Sequence, residues 1–413
     1  MLELARIGGV PVDELYDASG DRKATLSKFH LKENIWREGD LEYTVLQYTR
    51  PIRDEEHGAA VGHLRSVIHR AGKIVCVAPP RGETMERFAA HHAASTCVAE
   101  EIIEGTMVNL FYDEGDWRLA TRGTVGARNW FYRGAPTFRH MFLETAGLAG
   151  LDFDRLPKDC CYSFVLQHPE NRIVSRIRVP QLYIVDRYLI DQDTRAATRL
   201  PASDALKALL ADTSIRFPES WPISDFEAAR IVYAGSTTKH TIPGVMFRDK
   251  ETGARARACN PNYEAVRQLR GNHPKEQYRY LVLRKEGRVD EYLRFYPEDR
   301  EAFEAFGKQV AAFIKQLHSS YIQARPMRGG DDAVERHLLP HVRGLHKIYL
   351  SRLREEGRKV HRGTVTDYVA DLPPARLMFA INYPLRDKPD EAATAVNVAS
   401  EAANYDVVEV EQA

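Results

Sequence analysis

Between Val98 and Thr124 the chain reads VAEEIIEGTMVNLFYDEGDWRLATRGT, and this stretch limits what can surround it. An acidic, apolar run ends at Glu104-Gly105-Thr106. An alternating run follows, with Met107, Leu110, Phe111 and Tyr112 carrying most of its apolar weight. After a turn at Asp113–Asp116 a second alternating run, Trp117 to Thr121, ends at Arg122-Gly123-Thr124. Two period-two runs around a short Asp/Gly turn predict a β-hairpin. Each end sets glycine beside a small or hydroxyl residue, where a ligand can approach the backbone.

Further strands are predicted on both sides. Residues 1–40 mix short apolar pieces with Gly and Asp and read as an irregular lead-in. From Glu42 the run YTVLQY alternates. Leu64–Ile68 and Ile74–Ala78 form two strands around an Ala71-Gly72 turn, and Thr84–His92 forms a short helix with Phe88 inward. Phe138, Met141, Phe142 and Thr145 recur at helical spacing, with Gly147 as the stop. Cys160–Gln167 and Gln181–Leu189 read as strands. Helices follow at Ser203–Asp212, with a Ser N-cap, and at Ser224–Arg230.

Beyond Glu298 the pattern becomes helical. Phe303, Phe306, Val310, Phe313, Ile314, Leu317 and Tyr321 share one face of a long helix, which reads as core. Asp332–Glu355 is a second helix, interrupted near Pro340 and Gly344. Thr364–Ala370 and Pro374–Ile381 are two short ones. The tail from Asp387 holds seven acids against one lysine and is expected to be disordered.

With 44% hydrophobic and 28% charged residues in 413, the chain is globular and long enough for two domains. A formal net charge of zero means that no global field draws it to nucleic acid, so any basic surface is local. Five cysteines without C-x-x-C spacing argue against a disulfide framework or a zinc site and for a reducing compartment. The N-terminal sequence lacks a basic region before an apolar core, and no run of 18 apolar residues occurs, so neither a leader nor a membrane span is expected. The expected location is intracellular, cytoplasmic or nuclear.

The order of motifs resembles ATP-dependent RNA ligases of the T-even phage type, within the covalent nucleotidyltransferase superfamily. That family reads Lys-x-Asp-Gly-Ser, a strand, then a Lys-Gly-Ser-like end. Gly105 and Thr106 match its Gly-Ser, Glu104 takes the Asp place, and Arg122-Gly123-Thr124 matches the second element. Arg65 matches the arginine of an earlier Arg-Gly strand, and Arg87-Phe88 resembles a Lys-Phe-Phe-Asn segment. His168-Pro169-Glu170-Asn171-Arg172-Ile173-Val174 is similar to the Ser-Pro-x-Asn-Arg-Ile-Val element. Gly244 lies in the strand that resembles Glu-Gly-x-Val-Val. Arg257 to Tyr263 resembles the closing Lys-x-Lys-x-x-x-Tyr element. The likeness covers about residues 42–270.

The departures are as informative. The nucleophilic lysine of the family falls at Ile102, which has no lone pair with which to attack a phosphate. The family glutamates fall at Val165 and Pro243, and the two closing lysines at Arg257 and Cys259. Arginine still grips phosphate. The resemblance therefore implies binding of RNA 5′-phosphate ends, and of nucleotide, more than adenylylation. The cofactors it implies are ATP and Mg2+. The implied nucleotide- and phosphate-binding set is Arg65, Arg87, Glu104, Gly105, Thr106, Arg122, Gly123, Arg172, Gly244 and Arg257.

The resulting fold class is α+β. An antiparallel-sheet, ligase-like domain spans 41–290, a helical domain 296–384 and a disordered acidic tail 385–413. Two alternatives stay open: a non-enzymatic scaffold, and an active ligase whose nucleophile is Lys73. Lys73, at the tip of an Ala-Gly turn, otherwise reads as a solvated lysine. His337 and His341 stand four apart near Glu335, but the H-E-x-x-H glutamate is missing and Pro340 intervenes, which disfavours zinc. The run Arg352, Arg354, Arg358, Lys359, His361 and Arg362 reads as a solvated helix end, with an RNA-backbone track as its functional counterpart.

Overall fold

Glu114 and Gly115 both adopt positive φ, 50° and 81°, and close the predicted hairpin. Such a two-residue turn matches the right-handed twist of its flanking strands. The computed structural model describes residues 30–49, 63–131, 134–191, 196–200, 202–324 and 334–385, together with 2–3, 6–7, 10–11, 23 and 26–27. From residue 386 onward the expected acidic tail lies outside the described residues.

The chain divides into two compact units, one up to Arg267 and one from Gln268. The first is built from antiparallel sheets, with strands numbered in chain order. One sheet has the order β1 (Leu2–Glu3), β13 (Ala196–Leu200), β12 (Gln181–Asp191), β11 (Cys160–Gln167), β9 (Thr106–Asp113) and β10 (Asp116–Ala120). A two-stranded piece pairs β2 (Arg6–Ile7) with β3 (Val10–Pro11). A second sheet joins β4 (Leu31–Glu38), β5 (Leu41–Tyr48), β6 (Val67–Arg70) and β7 (Lys73–Val77). A third has the order β14 (Ser220–Pro222), β8 (Cys97–Glu101), β15 (Gly244–Asp249) and β16 (Arg255–Cys259). An irregular lead-in to residue 40 is thus corrected: β4 pairs with β5 over its full length.

Four helices of this unit follow the sequence closely. Helix α1 (Met85–His91) is capped by Thr84 and buries Phe88. Helix α2 (Phe138–Ala149) runs through Gly147 and stops at Gly150, whose φ of 71° suits glycine. Helix α3 (Asp204–Leu209) takes its cap from Ser203, and α4 (Phe226–Ala234) from Asp225. Residues 64–66 are not strand. His63–Arg65 form a 3-10 turn before β6, which puts Arg65 in the interior, 5% exposed.

A bulge in β12 sets the chemistry of the interior. Ser163 pairs with Asp186 but Phe164 pairs with Ile184, leaving Val185 extra. One inserted residue flips the side-chain facing. Leu182 and Ile184 accordingly pack with Phe142 of α2, whereas Tyr188 packs with the β4–β7 residues Tyr43 and Val67. Asp186 shares the facing of Tyr188.

Helix α5 (Pro261–Arg270) leads into the second unit, whose described residues hold helices joined by turns and no strand. It comprises α6 (Glu276–Glu286), α7 (Val289–Phe295), α8 (Arg300–Gln323), α9 (Leu339–Ile348), α10 (Arg362–Asp371) and α11 (Pro374–Asn382). The predicted stripe holds: α8 buries Phe303, Val310, Phe313, Ile314, Leu317 and Tyr321. Pro340 starts α9 rather than breaking it, and Gly344 lies within it. A proline in the first turn loses no intrahelical hydrogen bond. Buried Arg279 donates to Tyr292 Oη at 2.8 Å and meets Asp299 at 3.2 Å, tying α6 to α7 and the start of α8.

Candidate functional site

The turn between β8 and β9 and the turn after β11 hold each other. Glu104, 5% exposed, accepts the backbone N–H groups of Val174 at 3.0 Å and Ser175 at 2.9 Å, and the Ser175 hydroxyl at 3.2 Å. Asn171 donates to the Thr106 hydroxyl at 2.7 Å, and Gln167 to the Glu104 carbonyl at 2.9 Å. Burial pushes the Glu104 carboxyl up, while bonds from Val174, Ser175 and Tyr263 pull against that rise. A carboxylate so engaged is a structural clamp.

Gly105 has φ 156°, and a Cβ there would lie 2.5 Å from the Leu166 carbonyl oxygen. Gly244, φ 139°, would drive a Cβ into the Ala258 carbonyl. The space that glycine provides at both positions is filled by the chain's own backbone. Arg172 turns back on its loop and donates to the Val174 carbonyl at 3.0 and 2.8 Å.

The remaining members of the expected set lie in three further places. Arg257 stands on β16, between Arg255 and Cys259 on one strand face; Ala256 and Ala258 face the opposite core with Phe88 and Phe247. Arg65 is close enough to Arg255 to weaken its hold on its proton. Arg87 is half-exposed on α1 and meets Glu83 at 3.4 Å, while the Glu83 backbone N–H donates to the Arg255 carbonyl at 2.7 Å. Arg122 lies over the Tyr48 ring, 4.9 Å from its centroid, and Gly123 lies against Gln47, both on β5. Thr121 and Thr124 close a tight turn after β10, their hydroxyls 2.7 Å apart. Lys73 is exposed beside the Ala71-Gly72 turn. Ile102, at the lysine place, is 5% exposed, and Val165 is 1% exposed.

Sequence reading missed the charged hub beside β16. Asp186, 4% exposed, meets Arg248 at 3.4 Å, Arg255 at 3.6 Å and the Arg199 guanidinium. Arg248 also donates to Glu100 at 2.8 Å, and Arg255 to the Pro80 carbonyl at 2.9 Å. Burial alone would raise the Asp186 carboxyl, but Arg248, Arg199 and Arg255 outweigh it and hold it below the usual range. Burial and Arg248 together pull Arg255 down, since Arg255 shares its one carboxylate with two other arginines. Arg248, with two carboxylates, moves up. Three arginines thus face two carboxylates. Arg248 Nη1 and Tyr188 Oη, both buried, have no hydrogen-bond partner among the described residues. The one trace of this hub in the sequence is an Asp inside the apolar run QLYIVDRYL.

Magnesium finds no ligand at the two family glutamate places or at Glu104. Val165 and Pro243 supply no oxygen side chain, and the Glu104 oxygens are bonded to Val174 and Ser175. Guanidinium groups such as those of Arg255 and Arg257 pair with oxyanions and not with metal ions. In the helical unit, His341 Nδ1 lies 3.0 Å from Tyr368 Oη, and His337 stacks on Tyr383. Among the described residues no group of His, Cys, Asp and Glu side chains could hold a metal ion, and no helix is long and apolar enough to cross a membrane.

No protein-family profile matches the chain. It is 25% identical over 116 residues to an RNA ligase of Rhodothermus phage RM378, a match covering 26% of this chain and 26% of that protein. The chain therefore spans about a quarter of the length of that curated relative. Solved structures similar to it include an archaeal ATP-dependent RNA ligase, at 14% identity and TM-score 0.42, covering 92% of this chain and 100% of that one. A putative ATP-dependent DNA ligase from Aquifex aeolicus matches at 14% identity and TM-score 0.36, covering 73% and 79% of the two chains. A Naegleria gruberi RNA ligase variant with ATP and Mn matches at 11% identity and TM-score 0.36, covering 60% and 82%.

Proposed function

We propose that this chain is an RNA ligase-like protein that binds RNA 5′-phosphate ends, with ATP as a second ligand of the same cations, and that it forms no lysyl-adenylate. The binding half rests on one observation: Arg257 and Arg255 share a face of β16, beside a hub in which arginines outnumber carboxylates. A phosphate placed there offsets the repulsion among these guanidinium groups and supplies acceptors to their donors. The missing chemistry rests on Ile102, a buried alkyl side chain where the family has an amine. With no carboxylates at 165 and 243, a metal that activates such an amine loses the oxygen ligands that those two places would supply.

Incubation with α-labelled ATP and magnesium, followed by a denaturing gel, gives no labelled protein band on this reading. A 5′-phosphorylated RNA is retained on a filter, with affinity falling steeply as salt rises. A labelled band abolished by Lys73→Ala would establish the non-standard nucleophile instead. The scaffold reading draws on a specific observation too: Glu104 is taken up by the turn after β11, Arg172 by its own loop, and Arg87 is on the outside. Absence of RNA binding at low salt would decide for it.

A further inference from the structure

The stretch from Arg122 to His140 carries four arginines and no carboxylate across nineteen residues, in a chain whose net charge is zero. Aromatic residues interleave with these cations: Trp130, Phe131, Tyr132 and Phe138, of which Phe131 and Phe138 pack into the core around α2. Arg133 and Tyr132 lie outside the described residues. Within this stretch Trp130 is 46% exposed, whereas the other three tryptophans are half-buried. Trp130 lines an open groove of ≈ 510 Å³ together with Gly134, Ala135, Pro136, Thr137 and His140.

The loop that presents Trp130 is pinned at several points. The first N–H groups of α2 bind it: Phe138 donates to the Asn129 carbonyl at 2.9 Å and Arg139 to the Ala127 carbonyl at 2.7 Å. The Thr124 hydroxyl bonds Asn129 at 3.2 Å, and Arg128 meets Glu38 at 2.6 Å. The Arg128 side chain stays 68% exposed, and that of His140 67%. An indole held in solvent, with Arg128 two residues before it and His140 lining the same groove, is a stacking surface for an anionic polymer.

We propose that the Trp130 groove is a base-stacking subsite for single-stranded RNA. A nucleobase lies on the indole, and the adjoining phosphates face Arg128 and His140. The choice of RNA as partner rests on the ligase-like reading; the place and manner of contact rest on the groove and its charge. The occupant is a polyanion rather than an apolar peptide because the stretch has cations and no acid of its own. Glu38, from β4, meets Arg128, and Glu144, one turn along α2, lies 3.9 Å from His140.

The test uses the full chain and a short oligoadenylate, with tryptophan fluorescence as the readout. Stacking quenches the one exposed indole. Trp130→Ala removes the quench and weakens binding about tenfold, the usual scale for one base–aromatic stack. Trp130→Phe retains most of the affinity, and a duplex of the same sequence does not quench. Equal oligoadenylate affinity for wild type and Trp130→Ala, or quenching as strong with duplex, would overturn the subsite. The 5′ end separates this proposal from the end-binding one. A 5′-hydroxyl oligoadenylate that quenches as well as the 5′-phosphorylated form supports the subsite while counting against end recognition. Selective binding of the phosphorylated form with no quench does the reverse.

Discussion

The Glu104 carboxylate accepts the backbone N–H of Ser175 at 2.9 Å, and that bond fixes the start of β9 against the turn after β11. The acid is thus a building element of the fold. Glu104→Ala strands the N–H groups of Val174 and Ser175 in the interior, and the expected loss is about 1–3 kcal/mol of unfolding free energy in urea titration. The pH dependence has a defined sign. Burial raises the native carboxyl above its unfolded value, so the native state holds the proton longer. This contribution to stability declines as pH rises through the raised carboxyl range, and Glu104→Gln flattens that slope.

Asp186→Asn removes the charge on which Arg199, Arg248 and Arg255 converge. Leaving buried guanidinium groups short of a counter-charge costs about 3–5 kcal/mol. Here the sign is opposite to that of Glu104. The native carboxyl is held below its unfolded value, so its stabilisation is present above the ordinary Asp range and lost as pH falls through the native value. Acid unfolding followed by circular dichroism is expected to begin at higher pH in Asp186→Asn than in wild type, and the stability of the variant to fall less steeply as pH drops through the carboxylate range.

Ile102→Lys restores an amine at the family's nucleophile place without restoring its surroundings. Val165, Pro243 and Cys259 still supply neither the acids nor the second amine. The expected result with labelled ATP and magnesium is again no adduct on the gel. A labelled Ile102→Lys band would mean that the nucleotide and metal positions are intact, and would limit the lesion to one residue.

Local pattern carried much of the fold. The Glu114-Gly115 turn, the Thr84 and Ser203 caps and the face of α8 all follow from residues near one another in sequence. The Asp186 hub does not, because its partners Glu100, Arg248 and Arg255 come from distant strands and its facing depends on the extra residue Val185. Gly105 and Gly244 read as openings for a ligand, yet the Leu166 and Ala258 carbonyls fill those openings. No spacing rule distinguishes backbone that approaches a ligand from backbone that approaches a neighbouring strand.

End recognition is tested most directly at Arg257, because Arg65 is buried and its replacement also perturbs the core. The measurement is the affinity of wild type and Arg257→Ala for one RNA carrying either a 5′-phosphate or a 5′-hydroxyl, at two salt concentrations. The account predicts that wild type prefers the phosphate and that Arg257→Ala loses most of this preference, with a shallower salt slope. The double variant Arg352→Ala/Arg354→Ala, altered in the exposed run of the helical unit, is predicted to keep it. Equal preference in wild type and Arg257→Ala would contradict a phosphate-end site on β16.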